Sequence, residues 1–316
     1  MPTAPRVLAD AEVAARFDLD TAIASQRAAF RALGDGTAQL APKALLHGDH
    51  DTALGYFSRL SPAHAAVCKV VSVNPDNAAR GLPTIHATVL VLDPDTGALA
   101  AVLDAATLTA LRTAAGSAVA ADALAVPGPL DLGVLGSGVQ AYQHVRALAR
   151  VREIRSVRLW SPDAAHRADA AARIAADTGL PVTAAGGPAE AVDGARIVAA
   201  CTLSTDPVVV TDAVAPGCTV ISVGSFEKHR REVDGALLRR AARVVVDDVA
   251  TAEATAGSVV AGLIGGDLTR TDLVPLGDVV TGRAAGRTSP EDIVFYNSVG
   301  LGVQDAAAAL AVLDLA

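Results

Sequence analysis

Apolar and polar positions follow two rhythms along the chain, and the change from one to the other divides it. Between Asp20 and Leu33 the spacing of Ile23, Gln26, Arg27, Phe30 and Leu33 predicts an amphipathic helix, which the following GDGTAQLAPK breaks into a loop. CKVVSV from Cys68 and IHATVLVL over Ile85 to Leu92 are rich in β-branched residues and predict strands. Asp93-Pro94-Asp95-Thr96-Gly97 before ALAAVLD is a hairpin turn, so this first region reads as a β-rich lobe. Asp104 to Leu124 reads as a helix, with Thr107, Leu108, Leu111, Ala115 and Val119 along one side. From Leu130 the rhythm changes. Short apolar runs (LDLGVLG, SVRLW, LPVTA, ARIVAAC, CTVISVG, ARVVVDD) alternate with Ala-rich helical stretches such as Val139 to Ala149 and Ala164 to Thr178. That is the pattern of a parallel sheet flanked by helices. Near the end, Asp292 to Ser298 reads as extended, and Gly300 to Leu313 as a helix long enough to dock back on the first lobe.

These rhythms predict an α/β chain: a Rossmann-type doubly wound parallel-sheet domain over residues 113–299, and a β-rich α+β domain over residues 1–112 with 300–316. A length of 316 residues with 51% hydrophobic and 19% charged residues supplies core enough for two lobes. The formal net charge of -8, with Lys and Arg dispersed, gives no general attraction to nucleic acid or anionic lipid, so the expected partners are small molecules. Cys68, Cys201 and Cys218 have no CxxC spacing, which argues against a disulfide framework or a structural zinc and fits a reducing cytoplasm. The N-terminal MPTAPRVLADAEVAARFD lacks the apolar stretch of a signal peptide, and no run reaches the length of a membrane span. His47, Asp49 and His50 in LHGDHD lack a third convincing ligand, so no metal is expected there.

LDLGVLGSGVQA joins an apolar strand to a helix through Gly136-Ser137-Gly138-Val139-Gln140-Ala141. In that context Gly136 permits a tight turn, Gly138 lets backbone approach a pyrophosphate, and Ala141 allows close helix packing. Free N–H groups at the helix start then receive the anion. This turn, set between strand, helix and the next strand SVRLW, predicts a dinucleotide site. At the end of SVRLW stand Ser161-Pro162-Asp163. Ser161 leaves room for a 2′-phosphate with His166 or Arg167 as counter-charge, whereas Asp163 could serve NAD or simply cap the next helix. NAD and NADP both stay open.

Beyond the turn, CKVVSVNPDN, GLPT, the run DPDTGALAAVLDAATLTALRTAAGSAVAADAL, LGSGVQA, VISVGSFEKHRREVD and GDVVTGRAAGRTSPEDIVFYNSVGLGVQD resemble the ornithine cyclodeaminase and mu-crystallin family in order and spacing, from about Lys43 onward. The resemblance implies NAD(P)-dependent hydride transfer at a carbon bearing an amine or imine beside a carboxylate. It also implies a homodimer, with the first domain serving substrate binding and dimerisation. Arg112 matches the family's carboxylate-binding arginine and Lys69 its pocket lysine, while Lys43 stands where many members carry another arginine. An arginine fork suits a carboxylate, and Lys69 could also exchange a proton with the substrate nitrogen. Thr84, Thr202, Val223 and Ser298 match positions around the cofactor. His86 could face the pocket or sit in the core.

One departure shapes the expected reaction. Cyclodeaminases of this family carry an Asp two residues after the glycine of the VG motif, and here that place is Phe226. A phenyl ring takes no proton. Glu227 is adjacent, but if SVGSF ends a strand its side chain points to the other face. The expectation is therefore an amino- or imino-acid dehydrogenase or reductase acting on an amino, imino or 2-oxo acid, with Lys69 and Arg112 catalytic and Phe226 an apolar pocket wall. Ornithine cyclodeamination is the alternative, and a non-catalytic crystallin-like NADP and ligand-binding protein the second.

Overall fold

The computed structural model describes residues 4–315; residues 1–3 and 316, which the expected first domain includes, lie outside the described residues. In chain order the elements are β1 (Arg6–Leu8), α1 (Asp10–Ala14), α2 (Leu19–Gly34), β2 (Gln39–Leu40), β3 (Ala44–His47), β4 (Thr52–Arg59), β5 (Val67–Val73), β6 (Ile85–Leu92), β7 (Leu99–Asp104) and α3 (Ala106–Leu124). There follow β8 (Leu130–Leu135), α4 (Val139–Val151), β9 (Ile154–Trp160), α5 (Ala164–Thr178), β10 (Val182–Ala184), α6 (Pro188–Val192), β11 (Ile197–Ala200) and β12 (Thr219–Ser222). The last are α7 (Gly235–Arg240), β13 (Arg243–Val246), α8 (Val249–Thr255), α9 (Gly257–Gly265), β14 (Leu273–Pro275), α10 (Leu276–Val280), β15 (Val294–Asn297) and α11 (Gly302–Val312). The chain divides into two units, one running up to Thr113 together with Leu301 onward, the other spanning Ala114–Gly300.

The first unit is built on a mixed sheet in the order β1-β7-β6-β5-β4-β2, with β3 also paired to β4. Its hairpin pairs are antiparallel and β1 joins β7 in parallel. Asp93 closes the β6–β7 turn by accepting from the N–H groups of Asp95 and Thr96, and Gly97 takes φ +73°. Helix α11 is buried along nearly its whole length because its residues are mostly small or apolar and it lies against α2, β4 and β5. Gly302 lets it lie that close, since a Cβ there would come within 2.9 Å of Ser58 Oγ. Gln26 Nε2 of α2 donates to the carbonyl of Gln304 at 3.1 Å and ties the two helices together. On β5 the inward positions are Val67, Lys69, Val71 and Val73, so Lys69 is the one cation in an apolar row.

The second unit carries an all-parallel sheet in the order β10-β9-β8-β11-β12-β15-β13-β14. From β8 the chain winds outward through β9 and β10, then returns to the other side of β8 with β11, so the winding reverses between β8 and β11. Strands β11 and β12 are buried at every position, as expected of parallel strands covered on both faces.

Four expectations need correction. Asp104 closes β7 instead of opening the helix, which starts at Ala106 once the ladder with β6 is spent. The strand expected through Gly224 stops at Ser222: the N–H of Val223 still reaches the carbonyl of Ala200 at 3.0 Å, but that of Gly224 turns to Glu232 Oε2 at 2.8 Å. His86 is neither core nor pocket but exposed on β6. Strand β4, which pairs with β5 and carries the edge strands β2 and β3, is not among the expected strands: Gly55 interrupts TALGYFSR and blurs its alternation.

Two glycines of one turn should respond differently to alanine. Gly136 sits at φ +115°, and a Cβ there would approach the carbonyl oxygen of Cys201 to 2.5 Å, whereas Gly138 has φ -82° and open space around its Cβ position. Gly136→Ala is expected to cost about 2 kcal/mol or more through strain and overpacking. Gly138→Ala should change stability little. Urea denaturation of both variants checks the contrast, and equal losses would contradict it.

Candidate active site

In the second unit the residues expected to hold a dinucleotide collect at the carboxyl ends of neighbouring strands. Gly136 and Ser137 follow β8, Ser161 follows β9, Thr202 comes two residues after β11, Val223 follows β12 and Ser298 follows β15. In open α/β sheets ligands bind outside those ends, at the point where the winding reverses. The Gly136 turn lies at that point. Gly138 caps α4 without a side-chain bond, and Val139 and Gln140 open the helix, with Val139 exposed. The α4 N-terminus thus presents N–H groups, over a backbone with no Cβ in the way, which fits a pyrophosphate.

Asp163, open between cofactor and cap, is the N-cap of α5: its carboxylate accepts from the N–H of His166 at 2.8 Å, which holds its pKa below the usual carboxylate range. Ser161 is buried, donates to the carbonyl of Asp163 at 3.3 Å, and receives Arg167 Nη1 on its own carbonyl at 3.0 Å.

Two buried acids that sequence reasoning missed hold these strand ends in place. Glu232 Oε1 accepts from the N–H of Thr202 at 2.6 Å and its hydroxyl at 2.8 Å. Its Oε2 accepts from Ser222 Oγ at 2.7 Å and from the N–H groups of Val223 and Gly224 at 3.0 and 2.8 Å. Gly224 allows the approach, because a Cβ there would collide with the carbonyl of Thr202. Burial nevertheless pushes the Glu232 pKa up to about 7, against the opposing pull of those donors. Asp247, after β13, likewise accepts from Ser298 Oγ at 3.2 Å and the N–H groups of Val299 and Gly300 at 2.8 and 2.9 Å, and from Tyr296 Oη. The acid in HRREVD and the first acid of VVVDD were the available hints.

Phe226 lies in the loop after β12, half-buried, with the Arg230 guanidinium 5.3 Å from its ring centre. Glu227 is not on a strand, so the alternation invoked for it does not apply. Its carboxylate is buried, 3.5 Å from His229 Nδ1 and 3.9 Å from Arg230 Nε.

The first unit brings together the expected substrate cations. Lys69 Nζ donates to Asp305 Oδ1 at 2.8 Å, and Arg112 Nε stands 2.9 Å from the same oxygen, close as an ion pair but without the alignment of a hydrogen bond. The Tyr56 ring lies 4.7 Å from Lys69 Nζ and 6.0 Å from Lys43 Nζ. Burial, then Arg112, lowers the Lys69 pKa to about 8 in spite of Asp305. No bond to the terminal nitrogens of Arg112 is formed among the described residues, so its carboxylate-matching fork is uncommitted. Thr84 sits in the loop before β6, its carbonyl accepting from the N–H of Asn74 at 2.8 Å. His47 Nδ1 lies 3.3 Å from Thr52 Oγ1 and His50 Nδ1 3.3 Å from Asp76, and no group of three metal-ligating side chains forms among the described residues.

A doubly wound parallel sheet with a glycine turn at its reversal point defines a dinucleotide-binding α/β protein of Rossmann type. The model of the ornithine cyclodeaminase/mu-crystallin family matches residues 4–316, and the chain belongs to that family. It is 32% identical over 315 residues to the alanine dehydrogenase of Archaeoglobus fulgidus, covering 98% of this chain and 94% of that protein. Among solved structures it resembles the Δ1-pyrroline-2-carboxylate reductase of Thermococcus litoralis in complex with NADH and L-proline, with TM-score 0.94, 27% identity, and coverage of 98% of this chain and 97% of that one. It also resembles an archaeal alanine dehydrogenase dimer with bound NAD, with TM-score 0.91, 31% identity, and coverage of 98% and 95%.

Glu232 supplies a pH test. Its folded pKa, near 7, lies above the ordinary 4.5, so the folded chain binds more protons between those values. The stability it contributes is therefore fully present below about pH 4.5 and is lost as pH rises through about 7, a change on the order of 3 kcal/mol. Urea denaturation of the wild type minus Glu232→Gln should show that fall between pH 5 and 8; a flat difference would contradict the shift.

Proposed function

We propose that the chain exchanges a hydride at the Cα of an α-amino or α-imino acid, with the substrate carboxylate held by the terminal nitrogens of Arg112 beside Lys69. The observation that carries this reading is the gathering of two cations on one buried carboxylate with the Arg112 fork left free. The bound NAD or NADP supplies or accepts the hydride. It is held through the Gly136–Gln140 turn, Ser161 and the strand-end residues Thr202, Val223 and Ser298. Fixing the carboxylate at two points orients Cα and the adjacent nitrogen. Lys69, mostly protonated at neutral pH, gives a proton to that nitrogen in reduction, and its neutral amine takes one in oxidation. Lys43 adds positive charge. Phe226 stands where the family's cyclodeaminases carry an acid and accepts no proton, which sets simple oxidoreduction above loss of ammonia. The three cysteines are free, in keeping with a cytoplasmic enzyme, and no described helix is long and apolar enough to cross a membrane.

Mixing the protein with NADH or NADPH, ammonia or methylamine, and a panel of 2-oxo acids, together with preformed cyclic imino acids, tests the reading by absorbance of the reduced nicotinamide. Oxidation with at least one acid is expected. Proline formed from ornithine without net cofactor consumption would sink it in favour of cyclodeamination, and cofactor binding with no turnover would favour a binding protein. Arg112→Ala should raise KM for the acid by roughly a hundredfold, the loss of a charge-assisted bidentate contact, and leave dinucleotide affinity nearly intact; equal loss of both would show that Arg112 does not hold the acid.

The first sheet also supports a homodimer. Its outer face carries an apolar row, Val7, Val102, Leu90, Cys68 and Phe57, paired side by side across β1, β7, β6, β5 and β4. Val7 is 70% exposed, Phe57 50% and nearby Val70 53%. A contiguous apolar face of this kind marks an interaction surface, and a second copy would cover it by stacking the same face. Light scattering should give twice the chain mass for the wild type and once for Phe57→Glu/Val70→Glu; a double variant that stays dimeric would contradict this face.

A further inference from the structure

Asp305 is the one charged residue of α11, in a helix otherwise made of small and apolar side chains plus Gln304. It is 1% exposed, and a carboxylate taken out of water at that depth costs several kcal/mol unless it is paired. Its partners come from distant parts of the chain: Lys69 from β5 at 2.8 Å and Arg112 from α3 at 2.9 Å, both on Oδ1. Oδ2 is buried and makes no hydrogen bond among the described residues, so the two cations alone answer the carboxylate's charge. Arg112 meets the acid through Nε, at the base of its guanidinium. That contact is an ion pair, and the two terminal nitrogens make no hydrogen bond among the described residues.

We propose that Asp305 is a positioning residue for the reaction: its single oxygen Oδ1 sets the direction of the Arg112 fork and keeps Lys69 protonated beside a second cation. The inference rests on the reading of Arg112 and Lys69 as the carboxylate clamp and proton carrier. The groups that face Lys69 are Arg112 on α3, Lys43 ahead of β3, the Tyr56 ring on β4 and Asp305 on α11. Burial, Arg112 and Lys43 all favour the neutral amine, and Asp305 alone opposes them. With the carboxylate gone, two cations would share an apolar pocket, Lys69 would shed its proton at neutral pH, and Arg112 would lose the anchor that aims its fork.

The test follows Lys69 directly. In the full-length protein, 15N NMR of the lysine side chains, with Lys69→Arg for assignment, should give a midpoint near 8 for the wild type and one at least about one pH unit lower for Asp305→Asn. An unchanged midpoint would overturn the proposal. This readout needs no substrate, so it decides the hold of Asp305 on Lys69 even if no amino or imino acid is turned over. With a substrate in hand, the alkaline limb of kcat/KM for imine reduction should move down by the same amount in Asp305→Asn. A uniform loss with the limb in place is what a merely structural role gives, and it too would overturn the proposal. Asp305→Glu, which also carries the test if the asparagine variant does not fold, keeps the charge but displaces the oxygen. It should hold the midpoint within about half a unit of wild type and raise KM roughly tenfold. A collapsed midpoint there, or an unchanged KM, would contradict the electrostatic or the positioning part respectively.

Discussion

A carboxylate buried in an apolar setting must be answered by cations or by hydrogen-bond donors, and both halves of the proposed machinery are organised by that constraint. In the first unit Asp305 is answered by Lys69 and Arg112. In the second, Glu232 is answered by donors from the ends of β11 and β12, and Asp247 by donors after β15. Each acid converts flexible strand-end or helix-borne groups into fixed ones. The cost of leaving a buried acid unpaired is what makes those positions definite.

The local part of this design was legible in the sequence. The Gly136–Ala141 turn could be read because its requirements, a left-handed φ, an uncovered backbone and a small residue under the helix, lie within six residues. Helices α2 and α5 and strand β6 were legible for the same reason, since their periodicity is continuous. Asp305 was not, because its meaning depends on Lys69, 236 residues earlier, and on a buried helix whose polar residue looks like a solvated one. Glu232 and Asp247 looked like ordinary charges in polar runs. Strand β4 escaped because Gly55 breaks its alternation. The strand through Gly224 ends early because Glu232 takes the N–H of Gly224, a tertiary effect that no run of valines announces.

The chemistry follows from what each position can and cannot do. Lys69 and Arg112 were singled out through the family resemblance, and the structure adds that they share one anion and that the Arg112 fork makes no hydrogen bond among the described residues. Phe226 supplies bulk without basicity, and Glu227 is packed against His229 and Arg230. In the proposed reading Arg112 binds a carboxylate and Lys69 moves one proton at nitrogen.

The most direct test of that account is the fate of the hydride. Reduced dinucleotide carrying deuterium on both C4 positions of the nicotinamide should deliver one deuterium, as deuteride, to Cα of the amino-acid product, read by mass spectrometry and by loss of the Cα proton resonance. Turnover that leaves Cα unlabelled would contradict the account.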